Sequence, residues 1–303
     1  MICGEYLHLP RQENSPAPSG TQCEGSVTGS IDLRGQVAVV TGGGRGLGRA
    51  FAQALAGAGC SVAVAARSAA ELAETVRLVE RSGGHARAFT ADVTDAVAVD
   101  NTFAEIEQLL GPVDLLVNNA GIAGPIGPFT QSGVGDWWRT IEVNLRGQIL
   151  CAHRVLPGMI ARRRGRIVNI ASGGGATMLP YFSAYVTSKT ALIRFSECLA
   201  AEVKLDGLAV FAMGPGTVRT AMAEYSLKSP EGRTWLPWFR QIFDEGRDLP
   251  PERPAALLLA LASGRADRLS GCFFQPRDDL DAIIAAAETV QAGKMYSLQV
   301  SRF

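Results

Sequence analysis

The chain has 303 residues, 47% hydrophobic and 19% charged, with a formal net charge of +0. That length holds one large domain with an appendage, or two small ones. A neutral surface offers no field to grip a nucleic-acid backbone or an anionic membrane, and so much apolar content excludes a disordered chain.

The six cysteines (Cys3, Cys23, Cys60, Cys151, Cys198, Cys272) are far apart, with no CxxC pair. This fits neither a zinc site nor a disulfide framework, so no metal is expected and the compartment reads as reducing and cytoplasmic. The first residues lack the basic patch and long apolar stretch of a secretory signal. The longest uncharged run, Ala50 to Ala66, is divided by Gly57 and Gly59 and falls short of a bilayer span.

Residues 1 to about 33 are rich in Ser, Pro, Gly, Gln and Glu without an apolar period, and are expected to form a flexible extension. From Gln36 the texture changes. Short β-branched runs alternate with Ala/Leu/Arg segments of helical period: Val37 to Thr41 and a helix from Gly46; Ser61 to Ala66 and a helix from Ala69; Ala86 to Thr90 and a helix from Ala96. The series continues with Val113 to Val117 and a helix from about Val134, Arg166 to Ile170 and a helix from Ser183, then Leu208 to Met213. Strand then helix, repeated, predicts an α/β fold: a doubly wound parallel sheet with helices on both faces, in a single domain over 34–276. Within it, Ala221 to about Asp248 breaks the alternation and is rich in aromatic residues, which predicts a cover over a cleft. Pro251 to Ser263 reads as another helix and Gly271 to Phe274 as an edge strand. A helical tail is expected within 277–303.

Chemistry concentrates where strands end. The first strand runs into Thr41-Gly42-Gly43-Gly44-Arg45-Gly46-Leu47-Gly48 and then a helix. Glycine lets a phosphate approach the backbone, and the helix start supplies free N–H groups and a positive dipole end. The loop lacks the Gly-Lys-Ser/Thr ending of a nucleoside-triphosphate site, and its spacing differs from GxGxxG. After the second strand, Ala66-Arg67-Ser68 offers no carboxylate for a ribose 2′-hydroxyl but does offer a guanidinium for a 2′-phosphate, with Arg45 as a second cation. This favours NADP over NAD.

Tyr185 and Lys189 stand i to i+4 at the start of a predicted helix, on one face. A cation beside a phenol favours the phenolate, which suits an acid/base near neutral pH. Ser172, at the end of the preceding strand, points its hydroxyl toward the same crevice. A hydrolase reading fails on order, since His8, His85 and His153 all precede Ser172 and no GxSxG surrounds it. The arginines at 162, 163, 164 and 166 read as the cationic end of a helix.

Together these residues resemble the short-chain dehydrogenase/reductase family over about Leu33 to Phe274. Thr41-Gly42 with Gly46 and Gly48, Asp92, Asn118-Asn119-Ala120-Gly121, Asn144, Ser172, Tyr185 with Lys189, and Pro215-Gly216 with Thr220 stand in the family's order. The resemblance implies a Rossmann-type fold with Asn144, Ser172, Tyr185 and Lys189 as catalytic tetrad. It implies a cofactor bed of Thr41, Gly42, Arg45, Gly46, Leu47, Gly48, Arg67, Asp92, Val93, Asn119, Ala120, Gly121, Tyr185, Lys189, Pro215, Gly216, Val218 and Thr220. Asp92 would lie near the adenine and Thr220 near the nicotinamide carboxamide. Lys189 would lower the phenol pKa, and Asn144 would anchor a water that replenishes the proton. The partner would be a small carbonyl or alcohol, apolar or ring-containing, and the assembly a homodimer or homotetramer. One departure is Met213-Gly214 before Pro215, where the family often has an Asn. A non-catalytic dinucleotide sensor or scaffold on the same fold is the alternative.

Overall fold

The computed structural model describes residues 31–299. The expected N-terminal extension lies, up to residue 30, outside them. Seven parallel strands form one sheet in the order β3-β2-β1-β4-β5-β6-β7. They are β1 (Val37–Thr41), β2 (Ser61–Ala66), β3 (His85–Thr90), β4 (Leu115–Asn118), β5 (Arg166–Ile170), β6 (Ala209–Met213) and β7 (Phe273–Phe274). The central strands bury both faces because helices cover both, so they read as continuous apolar runs.

Alternate residues of each strand feed two cores. Ala38 and Val40 of β1 join Val62 and Val64 of β2 under α1 (Gly46–Gly57), α2 (Ala69–Arg81) and α10 (Glu252–Ala262), where Phe51, Leu55, Leu72, Leu258 and Leu261 are buried. Val37 and Val39 point the other way, onto Phe103, Ile106, Val155, Met159 and Leu199 of α3 (Ala96–Leu110), α5 (Gly147–Arg162) and α6 (Ser183–Glu202). Each such large side chain, fully buried, contributes about 1.5–3 kcal/mol.

The stretch expected as one helix from about Val134 is instead α4 (Val134–Ile141), a π-helical turn over Glu142–Arg146, and α5. The extra residue of a π turn shifts the helix face locally, which no apolar period announces. The segment expected to form a cover comprises α7 (Ala221–Lys228), α8 (Pro230–Trp235) and α9 (Pro237–Asp244). The tail comprises α11 (Leu280–Ala285) and α12 (Ala287–Ala292), and it is no loose appendage: Leu280, Ile283, Ala287 and Val290 sit in the first core. Beyond it the Phe273 N–H donates to the Tyr296 carbonyl, which covers the outer edge of β7.

Of the arginines expected to form one cationic helix end, only Arg162 lies in α5. Arg164 pairs with Asp114, and Arg166 opens β5 and forks onto Asp267. Among the described residues Cys60, Cys151, Cys198 and Cys272 are free, and no helix is long and apolar enough to cross a membrane.

Candidate active site

The sheet order reverses between β1 and β4, since β1 pairs with β2 on one side and β4 on the other. A crevice therefore opens at the carboxyl ends of these two strands. A cleft of about 790 Å³ lies there. Of the predicted cofactor residues, Gly42, Arg45, Gly46, Leu47, Gly48, Arg67, Asp92, Val93, Asn119, Ala120, Gly121, Tyr185, Lys189, Pro215 and Thr220 line it.

The loop after β1 is shaped by its main chain. Gly42 and Gly46 have φ of 65° and 53°, a region that a side chain disfavours, and a Cβ on Gly48 would run into the Gly42 carbonyl. Thr41 proves to be a brace. Its hydroxyl accepts from the N–H groups of Asn119 (2.9 Å) and Ala120 (3.1 Å), and the Asn119 amide returns hydrogen bonds to the Thr41 and Gly42 carbonyls. The two loops that flank the crevice are thus tied together across 78 residues of sequence. Such a glycine-rich cradle beside the start of α1 fits a pyrophosphate.

Arg67 is exposed at the cleft rim with no ion-pair partner among the described residues. Arg45, by contrast, pairs with Glu71 at 3.2 Å, so the second expected cation is already engaged. Sequence reasoning missed Glu71; the Ser68-x-x-Glu71 spacing was the available signal, and the Ser68 hydroxyl accepts from the Glu71 N–H to cap α2. Asp92 holds Thr94 and, at 3.2 Å, Arg139. Burial pushes its carboxyl up, but these hydrogen bonds outweigh burial and hold it below the usual carboxylate range. Gly216 and Val218 do not reach the cleft. Gly216 faces solvent, and Val218 is buried in a bridge to Leu249.

Ser172, Tyr185 and Lys189 converge beside this cradle. Ser172 follows the end of β5 and accepts from the Gly174 N–H (3.1 Å), with its side chain beside Tyr185. Lys189 is buried and donates to the Ile170 carbonyl at 2.8 Å, leaving two N–H donors of its ammonium unpaired among the described residues. Its Nζ stands 5.9 Å from the centre of the Tyr185 ring. Burial pulls Lys189 down to about 7. Burial also pushes the Tyr185 phenol up, and the nearby Ser172 hydroxyl only partly offsets this. The sequence expectation that Lys189 lowers the phenol is therefore not met: desolvation dominates.

Asn144 sits in the π turn, fully buried. Its amide accepts from the Ile122 N–H (2.8 Å) and donates to the Ile122 carbonyl (2.9 Å) and the Ser188 hydroxyl (3.1 Å). Both N–H donors of the amide expected to anchor a water are committed to protein partners, and its oxygen keeps one lone pair; the three bonds tie the loop after β4 to α6.

Sequence reasoning missed the aromatic frame around Tyr185. Phe182 stacks on the Tyr185 ring, with centroids 4.6 Å apart and planes at 12°. Tyr181 packs on Trp235 of α8 at 4.6 Å while holding a φ of 65°, a costly backbone for a bulky residue. Phe182 stands at the start of α6 without offering a side-chain cap, and the Trp137 ring N–H instead holds the Ser183 hydroxyl. The adjacent Tyr181-Phe182 pair, just ahead of Tyr185, was the available signal. Trp235, Trp238 and Phe239 are split between α8 and α9 by the Leu236-Pro237 break, and all three pack on the cluster against which Tyr185 also packs. Met222 and Tyr225 of α7 face the cradle.

A doubly wound sheet with a glycine cradle at its switch point and a Tyr/Lys pair beside it defines a dinucleotide-dependent enzyme. The model of the short chain dehydrogenase family matches residues 36–231. A short chain dehydrogenase of Pseudocercospora fijiensis is 34% identical over 87% of this chain and 87% of its own length. The 2,3-dihydro-2,3-dihydroxybenzoate dehydrogenase of Bacillus subtilis is 31% identical over 78% of this chain and 93% of its own. An actinorhodin polyketide ketoreductase solved with NADPH superposes with a TM-score of 0.73 at 30% identity, covering 79% of this chain and 95% of that one. The chain belongs to the short-chain dehydrogenase/reductase family. It is an oxidoreductase that acts on CH–OH groups of small molecules with NAD or NADP.

Proposed function

We propose that the protein is an NADP-dependent ketoreductase or secondary-alcohol dehydrogenase for apolar, ring-containing substrates, with Tyr185 as its acid/base. The convergence of Tyr185, Ser172 and the buried Lys189 beside the glycine cradle carries this reading. The free Arg67 at the cleft rim supports the choice of NADP, as does the NADPH in the ketoreductase neighbour. The aromatic cluster of Phe182, Trp235, Trp238 and Phe239 supports a ring substrate, and the Bacillus relative is named for a dihydroxylated ring.

When bound, the cofactor supplies or accepts a hydride at the substrate carbon. As negative charge grows on the substrate oxygen, Ser172 donates a hydrogen bond and Tyr185 delivers the proton; oxidation runs the same path in reverse. Ser172 is prepared for this, since the Gly174 N–H occupies one of its lone pairs and leaves its O–H to donate. Lys189, aligned by the Ile170 carbonyl, has donors left for ribose hydroxyls and a charge to stabilise the Tyr185 phenolate after proton transfer. Asn144 keeps the Ile122 segment and α6 in register. Phe182 keeps the phenol from rotating away. The exposed Phe129, Val134 and Trp138 support self-association into a homodimer or homotetramer.

Oxidation of NADPH and NADH, followed at 340 nm against a panel of linear and cyclic ketones, tests the reading. Turnover with cyclic ketones and a preference for NADPH is expected. Cofactor binding without turnover of any ketone or alcohol would favour the sensor alternative.

A further inference from the structure

Past β7 the chain turns at Gln275-Pro276-Arg277-Asp278. Both main-chain groups of Gln275 are pinned there: its N–H donates to the Asp278 carboxylate (2.6 Å) and its carbonyl accepts from the Asp278 N–H (3.0 Å). The backbone of this half-buried residue is fixed, yet its side-chain amide has no hydrogen-bond partner among the described residues. Its location is specific. A Cβ on Gly173, the residue after Ser172, would come within 3.2 Å of Gln275 Oε1, and a Cβ on Gly214 would come within 3.2 Å of Gln275 Cγ.

Gly214 leaves room at the end of β6 for the Phe273 ring, which a Cβ there would meet at 2.9 Å, and for the Gln275 stem. Gly173 leaves room for its amide beside Ser172. The next glycine has a different neighbour: a Cβ on Gly174 would meet Leu179 at 2.9 Å, and Leu179 packs on the cluster of Phe182, Ile126 and Leu236. The Ser172-Gly173-Gly174 segment is thus flanked by an apolar, aromatic cluster and by one unpaired amide.

We infer that Gln275 is a specificity-determining residue that hydrogen-bonds a second oxygen, hydroxyl or carbonyl, on a ring whose apolar face rests on the aromatic cluster. The inference rests on the ketoreductase reading of the same site and narrows its substrates to oxygenated ring ketones and the matching alcohols. An amide serves this purpose well because it can donate to a carbonyl or accept from a hydroxyl. An amide that gains a protein–ligand hydrogen bond only from a ring with the second oxygen favours that ring over one without it.

The test compares cyclohexanone with 2-, 3- and 4-hydroxycyclohexanone, using the full chain, its preferred cofactor, and the variants Gln275→Met and Gln275→Glu. Methionine keeps the stem over Gly214 and removes the hydrogen bond, whereas glutamate keeps an acceptor. The wild-type chain should prefer at least one hydroxyketone. Gln275→Met should lower kcat/KM for that isomer about 5- to 10-fold, the worth of one neutral hydrogen bond, and for cyclohexanone less than about 2-fold. Gln275→Glu should retain more of the preference than Gln275→Met. Equal losses on all four ketones, or a preference that survives Gln275→Met, would overturn the assignment and leave the ketoreductase reading standing. Failure of the wild-type chain to reduce any of the four would overturn both.

Discussion

The two halves of the site are built by different means. On the β1–β4 side the wall is built on glycine-rich main chain, held by the Thr41 hydroxyl and by the Asn119 amide returning to the Thr41 and Gly42 carbonyls. Past β5 stands an aromatic cluster of side chains around Tyr185, where Tyr181 packs on Trp235, Phe182 stacks on Tyr185, and Trp238 meets Phe239 edge-on. A main-chain wall binds what every dinucleotide shares, and few substitutions can alter it without blocking it. A side-chain cluster can be resized one residue at a time, which suits the half that must choose a substrate.

The largest effect that would test this division is chemical. Tyr185→Phe keeps the ring against Phe182 and removes the acid, so kcat should fall at least about 100-fold while cofactor affinity stays within a few-fold. Near-normal turnover would sink the proposed mechanism. Next comes the rim of the main-chain half. Arg67→Ala should weaken NADPH about 10- to 150-fold and NADH little, read by fluorescence titration, because a charge-assisted hydrogen bond to the 2′-phosphate is lost. An equal effect on the two cofactors would mean that Arg67 is only a solvated surface cation.

A third expectation follows from Lys189, held down at about 7 in the free protein by burial. Ribose hydroxyls beside its ammonium should favour the charged form, so cofactor binding at pH 8 to 9 should take up as much as one proton, and binding near pH 6 almost none. Calorimetry in buffers of different ionisation enthalpy measures this, and Lys189→Met should abolish it. The same shift has a sign for stability. The native state binds fewer protons than the unfolded chain between about pH 7 and the ordinary lysine value, so this group's contribution rises with pH across that window and is lost as pH falls toward 7.

The smallest effect belongs to the aromatic cluster. Trp238→Ala should raise KM for bulky ring ketones about 3- to 10-fold more than for small linear ones, with kcat little changed, in a series graded by size. The same rise for every ketone would show that the side chain only packs α9 in place.

The strand-helix alternation and the boundaries of β1, β2 and β5 followed from sequence, since a strand buried on both faces must be apolar throughout and short. The glycine cradle and the Tyr185-Lys189 pair were also legible, because both depend on neighbours within one turn of chain. The tertiary structure alone decided the rest. Thr41 became a brace because β4 delivers Asn119 and Ala120 to its hydroxyl, and Asn144 lost its free N–H donors because a π turn brings it to Ile122 and Ser188. Burial reversed the expected shift of the phenol, and sequence carries no measure of desolvation. Gln275 gained its place only because β7 docks beside β6, where the bare backbones of Gly173 and Gly214 leave it room. Such contacts span up to a hundred residues of chain, and no local period records them.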